Sequence, residues 1–169
     1  CGWIEEMVLM DRINKILNHH LFNENLEKNR TAEADRGFCR HDMVHFLDVA
    51  RIGMILNLEE GLGIPRELIY GAALLHDIGK HRQYEEGIPH EQASALIAPE
   101  ILRECGFAEK ETSVIIDAIL AHRNSDVIPE RNLRGVLYRA DKASRPCYAC
   151  RMERECSWKD GRKNKEIFY

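Results

Sequence analysis

Apolar residues along this chain recur at steps of three and four, the period of a helix with one buried face. Residues 3–22 place Ile4, Val8, Ile13, Ile16 and Leu17 near that period. Residues 24–36 are polar, with Leu26 the one large aliphatic side chain, and read as a connector or a solvated helix. The period resumes over 41–58 and stops at Gly61-Leu62-Gly63. Pro65 can open the next helix, because a first turn tolerates proline. That helix runs from 67 to about 78, with Gly79 as its C-terminal cap. Pro89 opens another, which Pro99 is expected to kink or restart and Cys105-Gly106-Phe107 to end. Helices over 109–122 and 132–144 follow, and no stretch alternates as a strand would. The expectation is an all-α bundle of about six or seven helices.

Composition narrows the function classes. At 169 residues the chain suits one domain with a sizeable core. A net charge of -4 advertises no basic surface, so duplex nucleic acid is not an expected partner. No apolar run approaches the roughly 20 residues of a membrane span, so no membrane is expected either. The first 22 residues carry charges throughout and read as a helix rather than a signal peptide. Six cysteines without a secretory signal point to a reducing cytoplasm, where thiols more often stay free or bind metal than pair.

Chemistry concentrates in His76-Asp77, set in Leu74-Leu75-His76-Asp77-Ile78-Gly79-Lys80. A histidine and an aspartate side by side in an apolar segment are costly to bury without a partner. His45, His122 and Asp141 lie on core-facing stripes: His45 with Val49 and Gly53, His122 with Val114 and Ala118, Asp141 with Leu137. His90 opens the helix after Pro89. Any one of these could be a core histidine with a single hydrogen bond, and Asp141 could simply pair with Arg139 or Arg145. Taken together, four histidines and two aspartates make a nitrogen and carboxylate set suited to zinc, iron, manganese or nickel. Neighbouring helix residues point about 100° apart, so His76 and Asp77 can share an ion only if it sits off the end of their helix.

On these residues the chain resembles the HD-domain superfamily of metal-dependent phosphohydrolases. The pattern is a histidine (His45), the adjacent His76-Asp77, and a distant aspartate (Asp141), over roughly residues 40–144. The two further histidines, His90 and His122, resemble the set found in members that hold two metals. By that resemblance His45, His76 and Asp141 would hold one ion, His90 and His122 the other, and Asp77 would bridge them. Some single-metal HD deoxynucleotidases carry a catalytic Glu four residues after the His of the pair, and here Lys80 stands there. The longer motif of cyclic-di-GMP phosphodiesterases is also missing. The implied activity is hydrolysis of a phosphate ester of a nucleotide or other small molecule. Asp77 would orient the attacking water, Lys80 would bind a phosphate oxygen or the leaving group, and Arg40, Arg82 and Arg123 are candidate phosphate contacts. The same ligand set also fits an HD-fold mixed-valence di-iron oxygenase, and a non-catalytic nucleotide or redox sensor fits as well.

A tail follows the domain, taken as residues 1–146. Residues 147–169 carry Cys147, Cys150 and Cys156, and two thiolates at C-x2-C spacing can converge on one ion. Cys39 is the expected fourth ligand, with Cys105 and Cys1 as alternatives. A structural zinc is the leading reading, an iron–sulfur cluster the second. Three reduced cysteines in a polar tail, or a redox-active dithiol, are the simpler alternatives.

Overall fold

The computed structural model describes residues 9–169, so Trp3, Ile4 and Val8 of the expected first helix and Cys1 lie outside the described residues. All regular structure within that range is helical: α1 (Asp11–Asn18), α2 (His20–Ala32), α3 (Met43–Glu59), α4 (Arg66–Leu75), α5 (Lys80–Glu85), α6 (His90–Glu104), α7 (Glu109–Ala121) and α8 (Leu133–Ala143). Three single turns of 3-10 helix complete it, at Ser125–Val127, Cys147–Ala149 and Asp160–Arg162. The chain is an all-helical bundle.

The centre is α4. Leu68, Ile69, Gly71, Ala72, Ala73, Leu74 and Leu75 are all buried, so seven of its ten residues face protein. A helix apolar on every side must be enclosed, and α1, α3, α6, α7 and α8 all pack against it. Small residues at Gly71, Ala72 and Ala73 let those neighbours approach closely. Phe46 of α3, Ile101 and Leu102 of α6, and Ile115 and Ile119 of α7 complete the core around it.

Local chemistry sets the ends. His19 is extended and its Nδ1 accepts from Leu21 N at 3.2 Å, which separates α1 from α2. Asp42 caps α3 by accepting from the Val44 and His45 amides at 3.0 and 3.2 Å. Asn132 caps α8 in the same way through Arg134 and Gly135. Four expectations change, the first being the helix expected over residues 3–22, which breaks at His19. The polar stretch after residue 24 belongs to α2, whose Phe22, Asn25 and Asn29 are buried. α6 runs through Pro99 without interruption. α4 ends at Leu75, and residues 76–79 form a buried turn ahead of α5, so Gly79 is not a helix C-cap. Its φ is an ordinary -91°, and glycine is needed for another reason. A Cβ there would lie 2.7 Å from the Ala93 carbonyl carbon and the Ser94 nitrogen, so only glycine lets this turn rest on the α6 backbone.

Candidate metal centre

That buried turn presents the His-Asp pair, and three neighbours pin it. Asn29 of α2 donates from Nδ2 to the Asp77 carbonyl at 2.9 Å and accepts the His81 amide at 2.7 Å. Ser94 Oγ accepts the Gly79 amide at 3.0 Å. His76 Nδ1 lies 2.7 Å from the Ala73 carbonyl. The backbone around the pair is fixed before any ligand is considered.

Two groups of donor atoms converge on the turn. His45, His76, Asp77 and Asp141 have ligand atoms within 4.8 Å of one another, and so do Asp77, His90 and His122. Asp77 belongs to both and divides its oxygens between them. Oδ2 lies 3.1 Å from His76 Nε2 and 3.7 Å from His45 Nε2. Oδ1 lies 3.1 Å from His90 Nε2 and 3.5 Å from His122 Nε2. Asp141 Oδ1 closes the first group, 3.5 Å from His45 Nε2 and 3.8 Å from His76 Nε2.

Each histidine is held from behind by its other nitrogen. His76 and His122 donate from Nδ1 to the Ala73 and Ile119 carbonyls, at 2.7 and 2.6 Å. His45 Nδ1 meets Ser144 Oγ at 3.2 Å, and His90 Nδ1 meets Gln83 Oε1. Such partners fix the tautomer and leave Nε2 free to ligate. His45 Nε2, His76 Nε2 and Asp77 Oδ1 are buried with no hydrogen-bond partner among the described residues. Buried polar atoms are rarely left so, and three at one point mark a place where a cation belongs.

The electrostatics agree. Burial works against charge on His76, yet the Asp77 and Asp141 carboxylates raise its pKa to about 10. The field that holds a proton there would hold a divalent cation more strongly. Burial would also raise both aspartates, but the charge of His76 keeps Asp77 well below the usual carboxylate range. For Asp141 the nearby His76, with Lys142 and Arg145 adding, does the same. Burial pushes His45 down, and pushes His90 down to about 3 with help from Lys80 and His122, so both present neutral ligand nitrogens. The residues present fit one or two divalent ions.

The remaining candidates are placed as follows. Lys80 is buried, its Nζ 3.1 Å from His90 Nδ1 and 3.5 Å from Gln83 Oε1, and burial lowers its pKa. Arg82 forms two hydrogen bonds with Glu86, and Arg123 pairs with Glu91 at 3.4 Å. Arg40 donates to the Ala34 carbonyl and lines a cavity of about 320 Å³ with His45, Ser144, Arg145 and Cys150. A larger cavity of about 730 Å³ between α6 and α7 includes none of the site residues in its lining. Asp141 pairs with Lys142 and Arg145, whereas Arg139 is engaged by Glu60. Cys105 belongs to the apolar core, and Cys39, Cys147, Cys150 and Cys156 are half-buried free thiols.

One group at the site escaped the sequence. His41, buried, points Nε2 at Asp77 Oδ2 from 3.7 Å. Its Nδ1 and its backbone amide both bind the Glu33 carboxylate, at 2.5 and 2.8 Å, and Tyr84 donates to the same carboxylate at 2.7 Å. The only sequence signal was that His41 stands four residues before His45, and the Asp42 cap between them hides it.

The comparisons with known proteins agree with this geometry. The HD-domain family profile matches residues 43–152. A protein of Clostridium beijerinckii (strain ATCC 51743 / NCIMB 8052), described as uncharacterized, is 48% identical over 160 residues, covering 95% of this chain and 100% of its own length. No solved structure matches. HD domains form a superfamily of metal-dependent phosphohydrolases, and a His/Asp cluster able to bind metal lies at the heart of this fold. No helix among the described residues is long and apolar enough to cross a membrane. The chain belongs to the HD-domain family.

Proposed function

We propose that this protein is a binuclear metal-dependent phosphohydrolase that cleaves a phosphate ester of a small molecule, with nucleotides as the first class to test. The observation that carries this reading is Asp77, whose two oxygens face two separate groups of imidazoles. Bound there, a pair of divalent ions (iron, manganese, nickel or zinc) would supply Lewis acidity that activates water and neutralises phosphoryl charge.

The protein's own residues set up the rest. His45, His76 and Asp141 would form one ligand set, His90 and His122 the other, and Asp77 would serve both. His41, oriented by Glu33 and Tyr84, stands beside Asp77 and is placed to move a proton at Nε2. The cavity of about 320 Å³ at His45 is of small-molecule size and carries Arg40 and Arg145 in its wall for a phosphate group. Lys80 Nζ, beside His90, adds positive charge on the other side. Arg82 and Arg123 would have to leave Glu86 and Glu91 to reach a substrate, so Arg40 is the stronger phosphate contact of the three. The five described cysteines are unpaired, which supports a reducing, cytoplasmic setting. One HD domain over residues 1–146 with an appended tail from 147 is the organisation that suits this activity.

The test is metal content together with hydrolysis of nitrophenyl phosphate mono- and diesters and a nucleotide panel, run on wild type and on Asp77→Ala. The variant should lose bound metal and at least about 100-fold in activity, since removing a ligand exceeds the effect of removing its supporting partners. Wild-type turnover in the variant overturns the site. Substrate-dependent oxygen uptake in place of phosphate release overturns the reaction class.

A further inference from the structure

Beyond Ser144 the chain is ordered without a core. It forms two single 3-10 turns, and among the described residues none from 145 to 169 is buried. What holds it is polar and only part-buried. Asn164 donates to the Lys142, Ala143 and Arg145 carbonyls, and Lys163 pairs with Glu153. The Arg145 guanidinium stacks 4.5 Å over Trp158, and Met152 covers Gly37. Fixing a residue costs about 1–2 kcal/mol, while a surface ion pair returns about 0–1 kcal/mol. Small units that lack a core are commonly held by disulfides or by metal.

The tail carries the means. Cys39, Cys147 and Cys156 line one cavity of about 340 Å³ with Arg36, Arg145 and Trp158. Cys150 lines the adjoining cavity, which also touches Cys39 and Arg145. The Cys150 amide donates to the Cys147 carbonyl at 3.2 Å, closing the C-x2-C turn. All four are free thiols, so no disulfide does the stapling. The Arg145 guanidinium lies against Cys39 as well as Asp141.

We propose that Cys39, Cys147, Cys150 and Cys156 hold a second, thiolate-ligated metal centre, a zinc ion or an iron–sulfur cluster, which clasps the tail to the loop between α2 and α3. Sulfur ligands select this chemistry over the harder metals suited to the His/Asp site. Around a single zinc the sulfurs would stand roughly 4 Å apart, given a Zn–S bond of about 2.3 Å. Among the described residues no three cysteine sulfurs lie within 4.8 Å of one another. A cluster, whose thiolates sit on different irons, tolerates that wider ring around a cavity. The site is independent of the proposed hydrolysis: it shares no ligand with the His/Asp groups.

The experiment measures zinc, iron and acid-labile sulfide, with the visible spectrum, on protein purified without oxygen. Wild type, Cys147→Ser/Cys150→Ser and His76→Ala/Asp77→Ala are compared. The His/Asp variant should keep the thiolate-bound metal: zinc alone without colour, or iron with matching sulfide and visible absorption. The cysteine variant should lose that fraction, and trypsin should cut its tail at Arg151, Arg154, Lys159 or Arg162 about tenfold faster or more. Should the cysteine variant fail to fold, thiol titration of the native wild type decides. Slow modification of the cysteines accompanied by metal release supports the site. Immediate modification without metal release overturns it, as does loss of all metal in the His/Asp variant or full metal and a protected tail in the cysteine variant.

Discussion

The two cysteine- and histidine-bearing ends of this molecule are built on opposite principles. The turn carrying His76 and Asp77 lies inside the core and is tied by Asn29, Ser94 and the Ala73 carbonyl. The tail carrying Cys147, Cys150 and Cys156 has no fully buried residue past Ser144 and leans on part-buried polar contacts. The first gathers its donor atoms within 4.8 Å with the protein alone; the second does not. A ligand set embedded in packed helices is preorganised, so its metal is selected by a rigid frame. A set at the end of a coreless segment needs the metal to complete the fold. Loss of metal should therefore leave the bundle standing and loosen the tail.

The sharpest way to break this contrast is to soften the rigid end. Asn29→Ala would leave the His81 amide unpaired in the core and take one of two donors from the Asp77 carbonyl, which keeps the Lys80 amide, with a small cavity beside them. The expected cost is about 3 kcal/mol in urea unfolding, from one unpaired buried amide at about 1–3 kcal/mol and one lost hydrogen bond at about 1 kcal/mol. Metal affinity should fall with it. A variant with wild-type stability and metal content would mean that the turn is held by packing alone.

How this frame came to be read only in part from the sequence follows from where its pieces lie. His45 and Asp141 were legible because each continues a buried apolar stripe on its own helix, and His76-Asp77 because its neighbours are uniformly apolar; the stripe that pointed to His122 holds only in part, since Ala118 is buried and Val114 is exposed. The end of α4 was not: the apolar run continues through Ile78, and hydrophobicity cannot distinguish a buried helix from a buried turn. Asn25 and Asn29 made α2 look solvated, although both face inward, because a polar residue that clamps a backbone has the same composition as one that meets water. His41 and Glu33 meet only through the loop that joins α2 to α3, a contact with no periodicity to betray it. The tail cysteines were legible as a motif, but a motif does not reveal how far apart its sulfurs stand.

Acid probes the rigid end from another side. Burial alone would raise Glu33, but His41, with Tyr84 also bonded to it, holds its carboxyl at about 2, against 4.5 for the ordinary group. Arg36, 3.9 Å away, adds to the same side. A depressed carboxylate stabilises the fold fully above the unfolded pKa, and that contribution is lost as pH falls toward the folded value. Glu33→Gln should thus cost about 2 kcal/mol at pH 6, and the gap to wild type should close between about pH 4.5 and 2. A gap that is independent of pH would mean that the carboxylate contributes by shape rather than by charge.

The smallest effect sharpens the other half of the comparison. Asn164 gives one side-chain amide to the carbonyls of Lys142, Ala143 and Arg145, at 2.7, 3.1 and 2.9 Å, and so satisfies the end of α8 with a residue from the tail. Those carbonyls can turn to water when the amide is removed, because the tail above them is not buried. Asn164→Ala should therefore cost only about 1 kcal/mol, near the net value of a single hydrogen bond. The loss should be local: faster amide exchange and proteolysis across 145–169, with the melting of the bundle almost unmoved. In metal-depleted protein the same substitution should do more to the tail than in the loaded form, because the thiolate clasp no longer shares the task of holding it. Equal effects in both forms would show that the tail is ordered by its polar ties, and the supposed difference between the two ends would shrink to one of burial.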